Sequence, residues 1–219
     1  MNKTETGSLL GNVLSLRKPQ KERCLESSSC PDFLLNPDAK LAEDCKSGCL
    51  AAYERLYNAH GARMKSIALN LLGNTADAED AVQETFLKIY RSVDRFKGES
   101  AFTTWIYRIL VNASYDLMRK RQRRNPEVQE AEQEPGTLEL SAASPADYPL
   151  RLTLENSLKK LSDRTRTVFL LFEVEGFKHR EIAEILNIPE GTSKNLLFEA
   201  KKELQRLLWK LGAVGEVYQ

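Results

Sequence analysis

From Leu41 onward, apolar residues recur in steps of three and four, the spacing that lines one face of an α-helix. Tyr53, Leu56, Tyr57, Met64, Ile67, Ala68, Leu71 and Leu72 form the first such face. Gly73 is its expected stop, since glycine accepts the left-handed C-cap conformation, and Asn74 or Thr75 is the expected cap of the next helix. That helix carries Ala78, Val82, Phe86, Ile89, Tyr90 and Val93 on one side, with Asp77, Glu79 and Asp80 at its dipole-positive start. Lys97-Gly98-Glu99-Ser100 is the expected break. A third helix follows with Phe102, Trp105, Ile106, Ile109, Leu110, Ala113 and Leu117 inward. Three such amphipathic helices predict one bundle.

The pattern then stops. Residues 125–149 hold Pro126, Pro135, Pro145 and Pro149, six acidic groups and no Lys or Arg, the composition of a solvated linker. Periodicity returns at Leu154, Leu158 and Leu161. Ser162 is placed to cap a helix through Val168, Phe169, Leu171 and Phe172 that ends at Gly176. Next come a short helix from Lys178 to Leu186, a turn over Asn187-Ile188-Pro189-Glu190-Gly191, and a last helix from Thr192 to about Leu211. Residues 1–39, rich in Ser, Lys, Glu and Pro, are expected to be a flexible extension in which Leu9, Leu10, Val13, Leu14 and Leu16 allow one short helix.

Composition narrows the class. A 42% hydrophobic content supports a packed core, and 8 prolines and 11 glycines in 219 residues favour helices. The net charge of +1 conceals segregation, with acid in the linker and base at 119–124. No apolar run approaches the about 20 residues that span a bilayer, and Met1 to Arg23 shows no apolar core followed by a cleavage site, so a cytoplasmic protein without membrane insertion is expected. Cys24, Cys30, Cys45 and Cys49 are separated by five, fourteen and three residues, which is not zinc-knuckle spacing. His60 and His179 are far apart, and neither a phosphate-cradling glycine loop nor a convincing Cys–His pair occurs. No catalytic residue, metal site or cofactor is therefore expected, and an enzyme is the class the residues favour least.

Three segments carry chemistry. Ile182, Ala183, Ile185 and Leu186, a glycine-containing turn, then Thr192, Ser193, Lys194 and Asn195 make a helix-turn-helix pattern. In it the second helix presents capped amides and polar side chains to a DNA groove. An ordinary helical hairpin with a polar outer face has the same pattern. The third helix of the bundle ends in Arg119, Lys120, Arg121, Arg123 and Arg124 after Phe96, Phe102, Trp105 and Tyr107, a composition suited to phosphates and stacked, unpaired bases. The same aromatics at helical spacing also suit a core. Asp77 to Glu84 sets acids and an amide beside Phe86 and Leu87, either a protein-docking face or a dipole-matched helix start.

Two blocks together resemble the extracytoplasmic-function sigma factors, the small two-domain branch of the sigma-70 family of RNA polymerase initiation factors. The first runs Ala78-Glu79-Asp80-Ala81-Val82-Gln83-Glu84-Thr85-Phe86-Leu87-Lys88-Ile89-Tyr90, then Phe102-Thr103-Thr104-Trp105-Ile106-Tyr107-Arg108-Ile109 and Asn112 to Arg119. The second runs Leu158-Lys159-Lys160-Leu161-Ser162-Asp163-Arg164, then Glu181-Ile182-Ala183-Glu184-Ile185-Leu186 and Gly191-Thr192-Ser193-Lys194. Order and spacing match in both.

The resemblance implies an all-α protein with two helical domains: a sigma region 2 bundle over 40–124 and a sigma region 4 helix-turn-helix over 150–211. They are joined by a flexible acidic linker over 125–149, with a tail at 212–219. It implies that Asp80, Gln83, Glu84, Phe86, Leu87 and Tyr90 bind the β′ clamp coiled coil of core RNA polymerase. Phe96, Lys97, Ser100, Phe102, Thr103, Trp105, Arg108, Asn112, Tyr115, Asp116, Arg119 and Lys120 would recognise the −10 element and hold melted bases. His179, Arg180, Thr192, Ser193, Lys194, Asn195, Phe198, Lys201 and Lys202 would read the −35 element of promoter DNA in a domain that also docks on the β-flap. An anti-sigma factor is the implied regulator, and the free chain a monomer. The recognition helix departs from the family pattern at Leu196 and Glu199, where basic residues are usual, so fewer phosphate contacts are expected there. Two rival readings stay open: a polymerase-independent helix-turn-helix regulator, and a redox or zinc sensor built on the cysteines.

Overall fold

The computed structural model describes residues 37–124, 154 and 156–210, and every regular element among them is helical. The linker, both terminal segments, Cys24 and Cys30 lie outside the described residues. The first domain comprises α1 (Pro37–Lys46), α2 (Leu50–Leu72), α3 (Thr75–Ser92) and α4 (Phe102–Arg124). The second comprises helical residues at 154 and 156–159, α5 (Asp163–Phe169), α6 (His179–Leu186) and α7 (Glu190–Lys210).

Local chemistry sets the boundaries. Gly73 takes φ 79° and ends α2, its amide donating to the Leu69 carbonyl. Asn74 then caps α3: its Oδ1 accepts from the Asp77 amide at 2.7 Å, and its Nδ2 donates to the Asp77 carboxylate at 2.6 Å. Ser162 caps α5 through the Thr165 amide at 3.3 Å, and Glu181 accepts from the Lys178 amide at 2.8 Å at the start of α6. After α5 the chain widens into one π-helical turn, Leu170–Val174, and Gly176 at φ 71° turns it away.

Three expected boundaries move. α1 begins at Pro37, so residues 37–39 are helical. The reason is tertiary: Asp38 accepts from the Thr103 amide at 3.1 Å and caps the start of α4 from a distance. α3 stops at Ser92 rather than at Lys97, followed by a 3₁₀ turn, Val93–Arg95, that buries Val93 and releases Phe96 toward Phe102 and Trp105. α7 begins at Glu190, two residues early. Asn187, not Gly191, takes the left-handed conformation (φ 52°), and the Ser193 amide donates to the Pro189 carbonyl at 3.2 Å. Thr192 therefore lies inside the first turn and is not the cap.

In the first domain, α2, α3 and α4 pack on one another around Leu56, Met64, Ile67, Ala81, Ile89, Ile106 and Leu110, with α1 laid across them. Tyr107, for which base stacking and core packing were both open, is a core residue. In the second, α5 and α6 pack on α7 around Val168, Leu171, Ile182, Ile185, Leu197 and Ala200. The two cores are continuous: α4 lies against α6, and α2 against the π-helical turn.

Candidate nucleic-acid and polymerase interfaces

The start of α3 presents Asp80 and Gln83 to solvent, with Glu84 and Leu87 half-buried beside them. Phe86 and Tyr90 point the other way. Phe86 is 6% exposed and pairs with Tyr57 at 5.6 Å, and Tyr90 pairs with Tyr53 at 5.7 Å. Both therefore belong to the core beneath this face and not to the face itself. Between α3 and α4 runs a groove of about 490 Å³ with Asp80, Gln83 and Glu84 on one wall and Asp116, Arg119, Lys120 and Arg123 on the other. Asp116 links the walls: Lys88 Nζ lies at 3.4 Å from one carboxylate oxygen and Arg119 at 3.0 Å from the other. Asp116 thus aims cations instead of standing alone. Lys88 was not among the expected site residues; its place one helical turn after Glu84 is the signal that could have found it.

At the start of α4, Phe96, Phe102 and Trp105 form a three-ring nest with centroids 5.2–5.7 Å apart, and Lys46 sits 5.9 Å above Phe96. Phe102 is 1% exposed and belongs to the core, whereas Phe96 and Trp105 remain half-open. Lys97, Ser100 and Thr103 rim the nest; Lys97 is exposed, Ser100 half-buried, and Thr103 shares the Asp38 carboxylate through both its amide and its hydroxyl. Along the same helix Asn112, Arg119 and Lys120 are exposed. Arg108 and Tyr115 are engaged by the second domain: Arg108 Nε donates to the Glu184 carbonyl at 2.7 Å, and the Tyr115 hydroxyl meets Thr167 Oγ1 at 2.7 Å. Burial raises the Tyr115 phenol further above its usual value, so it stays protonated and able to donate.

The helix-turn-helix is α6, the left-handed Asn187 and α7. Arg180, Thr192, Lys194, Asn195, Phe198, Lys201 and Lys202 are exposed, Phe198 to 69%. Ser193 is not. It is fully buried, its hydroxyl 3.0 Å from His179 Nδ1, and the His179 ring stacks on Phe172 at 4.5 Å. These two residues lock α7 onto α6. Two of the exposed lysines already have acid partners: Lys194 meets Glu190 at 2.7 Å and holds that carboxyl below its usual range, and Lys201 meets Glu173 at 2.7 Å.

Cys45 is buried, with the Tyr53 hydroxyl donating to its carbonyl at 3.1 Å, and burial pushes its thiol up to about 12. It stays a thiol near neutrality, which makes it a poor nucleophile. Among the described residues no cluster of three His, Cys, Asp or Glu is placed to hold a metal, and no helix is long and apolar enough to cross a membrane.

A basic, aromatic-lined bundle joined to a helix-turn-helix defines a DNA-handling protein. Comparison with known proteins gives the family. Residues 56–124 match Sigma-70 region 2 and residues 151–204 match Sigma-70, region 4. The chain is 31% identical over 183 residues to the ECF RNA polymerase sigma-E factor of Haemophilus influenzae, covering 80% of this chain and 96% of that one. It is 31% identical over 181 residues to the ECF RNA polymerase sigma factor SigW of Bacillus subtilis, covering 77% and 95%. Among solved structures it resembles CnrH in complex with the cytosolic domain of CnrY (TM-score 0.60, 25% identity, 79% of this chain and 97% of that one). It also resembles the sigma factor RpoE in complex with the anti-sigma factor NepR from Bartonella quintana (TM-score 0.54, 30% identity, 71% and 96%). The chain belongs to the extracytoplasmic-function sigma factors of the sigma-70 family, which serve promoter-specific transcription initiation by RNA polymerase.

Proposed function

We propose that this sigma factor divides promoter handling between its domains and catalyses no reaction itself. Residues 40–124 act as region 2: the Asp80, Gln83, Glu84 and Leu87 face docks on the β′ clamp coiled coil of core polymerase, and the Phe96–Trp105 nest with Asn112, Arg119 and Lys120 holds the −10 element and its separated strand. Residues 150–211 act as region 4, α7 entering the major groove of the −35 element through Thr192, Lys194, Asn195 and Phe198 while the domain docks on the β-flap. Residues 125–149 tether the two.

The observation that carries this reading is the pairing of unlike surfaces in one chain. Half-open aromatic rings beside cations suit unpaired bases, whose stacking offsets the few kcal/mol of unstacking. A helix with one polar, exposed face suits duplex edges. Each interface is small, and the tether raises the effective concentration of the second once the first has bound. An anti-sigma factor as regulator is supported by the complex with the anti-sigma factor NepR in which the relative RpoE was solved.

Run-off transcription with purified core polymerase and a genomic fragment library tests the proposal: new transcripts appear only when this protein is added. Trp105→Ala then impairs strand opening, read by permanganate reactivity, by about tenfold or more while duplex binding holds, as expected from the loss of about 1–3 kcal/mol of stacking per base. Equal loss of both would assign Trp105 to the core. Tight operator binding by the protein alone, as a dimer, would favour a polymerase-independent regulator.

A further inference from the structure

The exposed face of α7 carries a carboxylate that the proposed division of labour leaves without a task. Ser193, Leu197, Ala200 and Leu204 are buried and fix the rotation of the helix, so the residues opposite them face outward. Thr192, Asn195, Glu199 and Lys202 follow one another there in steps of three and four, all of them exposed. Of the two positions where the recognition helix lacks an expected basic residue, Leu196 packs against the core, whereas Glu199 lies in this outward stripe. From Thr192 to Glu199 the helix rises about 10 Å, roughly three base-pair steps, so both fall within the reach of one groove. The neighbouring charges are already matched: Lys194 meets Glu190 and Lys201 meets Glu173, each at 2.7 Å, and Arg206 meets Glu203. Glu199 has no ion-pair or hydrogen-bonding partner for its side chain among the described residues.

A carboxylate beside phosphates is repelled, and when ionised it offers acceptors only. It gains from a DNA groove only where a base edge presents a donor. Two bases do so in the major groove, cytosine through its N4 amino group and adenine through N6. Adenine sets the N7 acceptor beside that donor and so meets a carboxylate with a repulsion as well, whereas cytosine presents its donor alone. Asn195, one turn earlier, has both a donor and an acceptor and suits adenine instead. We propose that Glu199 is a specificity-determining residue, its carboxylate accepting an N4 hydrogen of one cytosine in the −35 element. This rests on the reading that α7 enters the −35 major groove. The carboxylate discriminates twice: it gains a charge-assisted hydrogen bond at cytosine, and it opposes the O6 of guanine and the O4 of thymine, which are acceptors.

The test uses the full chain with core polymerase on a promoter recovered from the run-off selection, its −35 positions randomised and the output of each member read by transcript sequencing. Wild-type output should favour cytosine at one −35 position by about fivefold or more over each other base. Glu199→Gln should move the preference at that position to adenine, since the amide offers a donor and an acceptor. Glu199→Ala should level the four bases there and leave the preferences at the other positions as they are. The side chain is exposed, so both variants should fold, which circular dichroism checks. Three results each overturn the proposal: a preference profile that neither variant changes, a rise in output from every −35 sequence alike in Glu199→Ala, or a wild-type preference for another base at the position the variants affect. Wild-type output indifferent to every −35 position would instead overturn the placement of α7 in the groove, and the role of Glu199 with it.

Discussion

Helices α4 and α7 are of nearly equal length, 23 and 21 residues, and both are proposed to meet DNA, yet they carry that role differently. α4 is woven into the bundle. Its aromatic nest shares Phe102 with the core, its first amides are capped by Asp38, and Arg108 and Tyr115 are tied to the other domain. α7 keeps one face in solvent, while Ser193, Leu197, Ala200, Leu204 and Leu207 are buried against its neighbours. The physical difference fits the proposed tasks. Capturing a flipped base takes a preformed concave surface, and rings in a concave surface are partly core. Reading a groove takes a convex one, whose reading residues contribute little to folding.

The sharpest way to break that comparison is to truncate one aromatic from each helix. Phe102→Ala should cost about 3–5 kcal/mol in urea unfolding, as buried aromatics do, whereas Phe198→Ala should stay within about 0.5 kcal/mol and weaken only −35 duplex binding. Similar costs would erase the distinction. Next in size is Ser193→Ala, which removes the partner of His179 inside the helix-turn-helix and should cost about 1–3 kcal/mol by the same assay. A Ser193→Ala protein of full stability but no DNA affinity would return Ser193 to the contact surface.

A smaller effect concerns pH. Burial chiefly lowers the His60 pKa from 6.5, where its Nδ1 faces the Tyr107 hydroxyl at 3.2 Å. Between 6.5 and that lowered value the unfolded chain binds more protons than the folded one, so the contribution of His60 is complete above 6.5 and is lost as pH falls through the window. Stability profiles of wild type and His60→Gln should therefore converge in slope above pH 6.5, with the wild type steeper below it. Identical slopes throughout would discount His60. Smallest is Lys202→Ala on the exposed face of α7, expected to lower the salt dependence of duplex binding by about one counterion at unchanged stability.

Much of this was legible in the residues. The stop at Gly73, the cap at Asn74, the cap at Ser162 and the end at Gly176 depend on groups within a few positions of each other, and the structure places each where the local pattern predicts. Some of the misplaced features have distant causes. α1 starts early because Asp38 bonds Thr103, 65 residues away. Within the expected turn Asn187–Gly191 the left-handed position falls to Asn187, which tolerates it through its short polar side chain. Ser193 looked like a reading residue, because whether a hydroxyl faces a groove or a histidine is decided by the rotation of α7 on α6.

What the sequence alone determined is most of the helices, the two domains and the family, since helical periodicity, caps and motif order are written at short range; α1 as a separate helix was not among them. What only the tertiary structure decided is which functional side chains are free. Arg63 finds Glu175 across 112 residues and Arg108 finds Glu184 across 76. Partnerships of that span arise when two amphipathic surfaces dock, and no local pattern records which charged group on one will meet which carbonyl or carboxylate on the other.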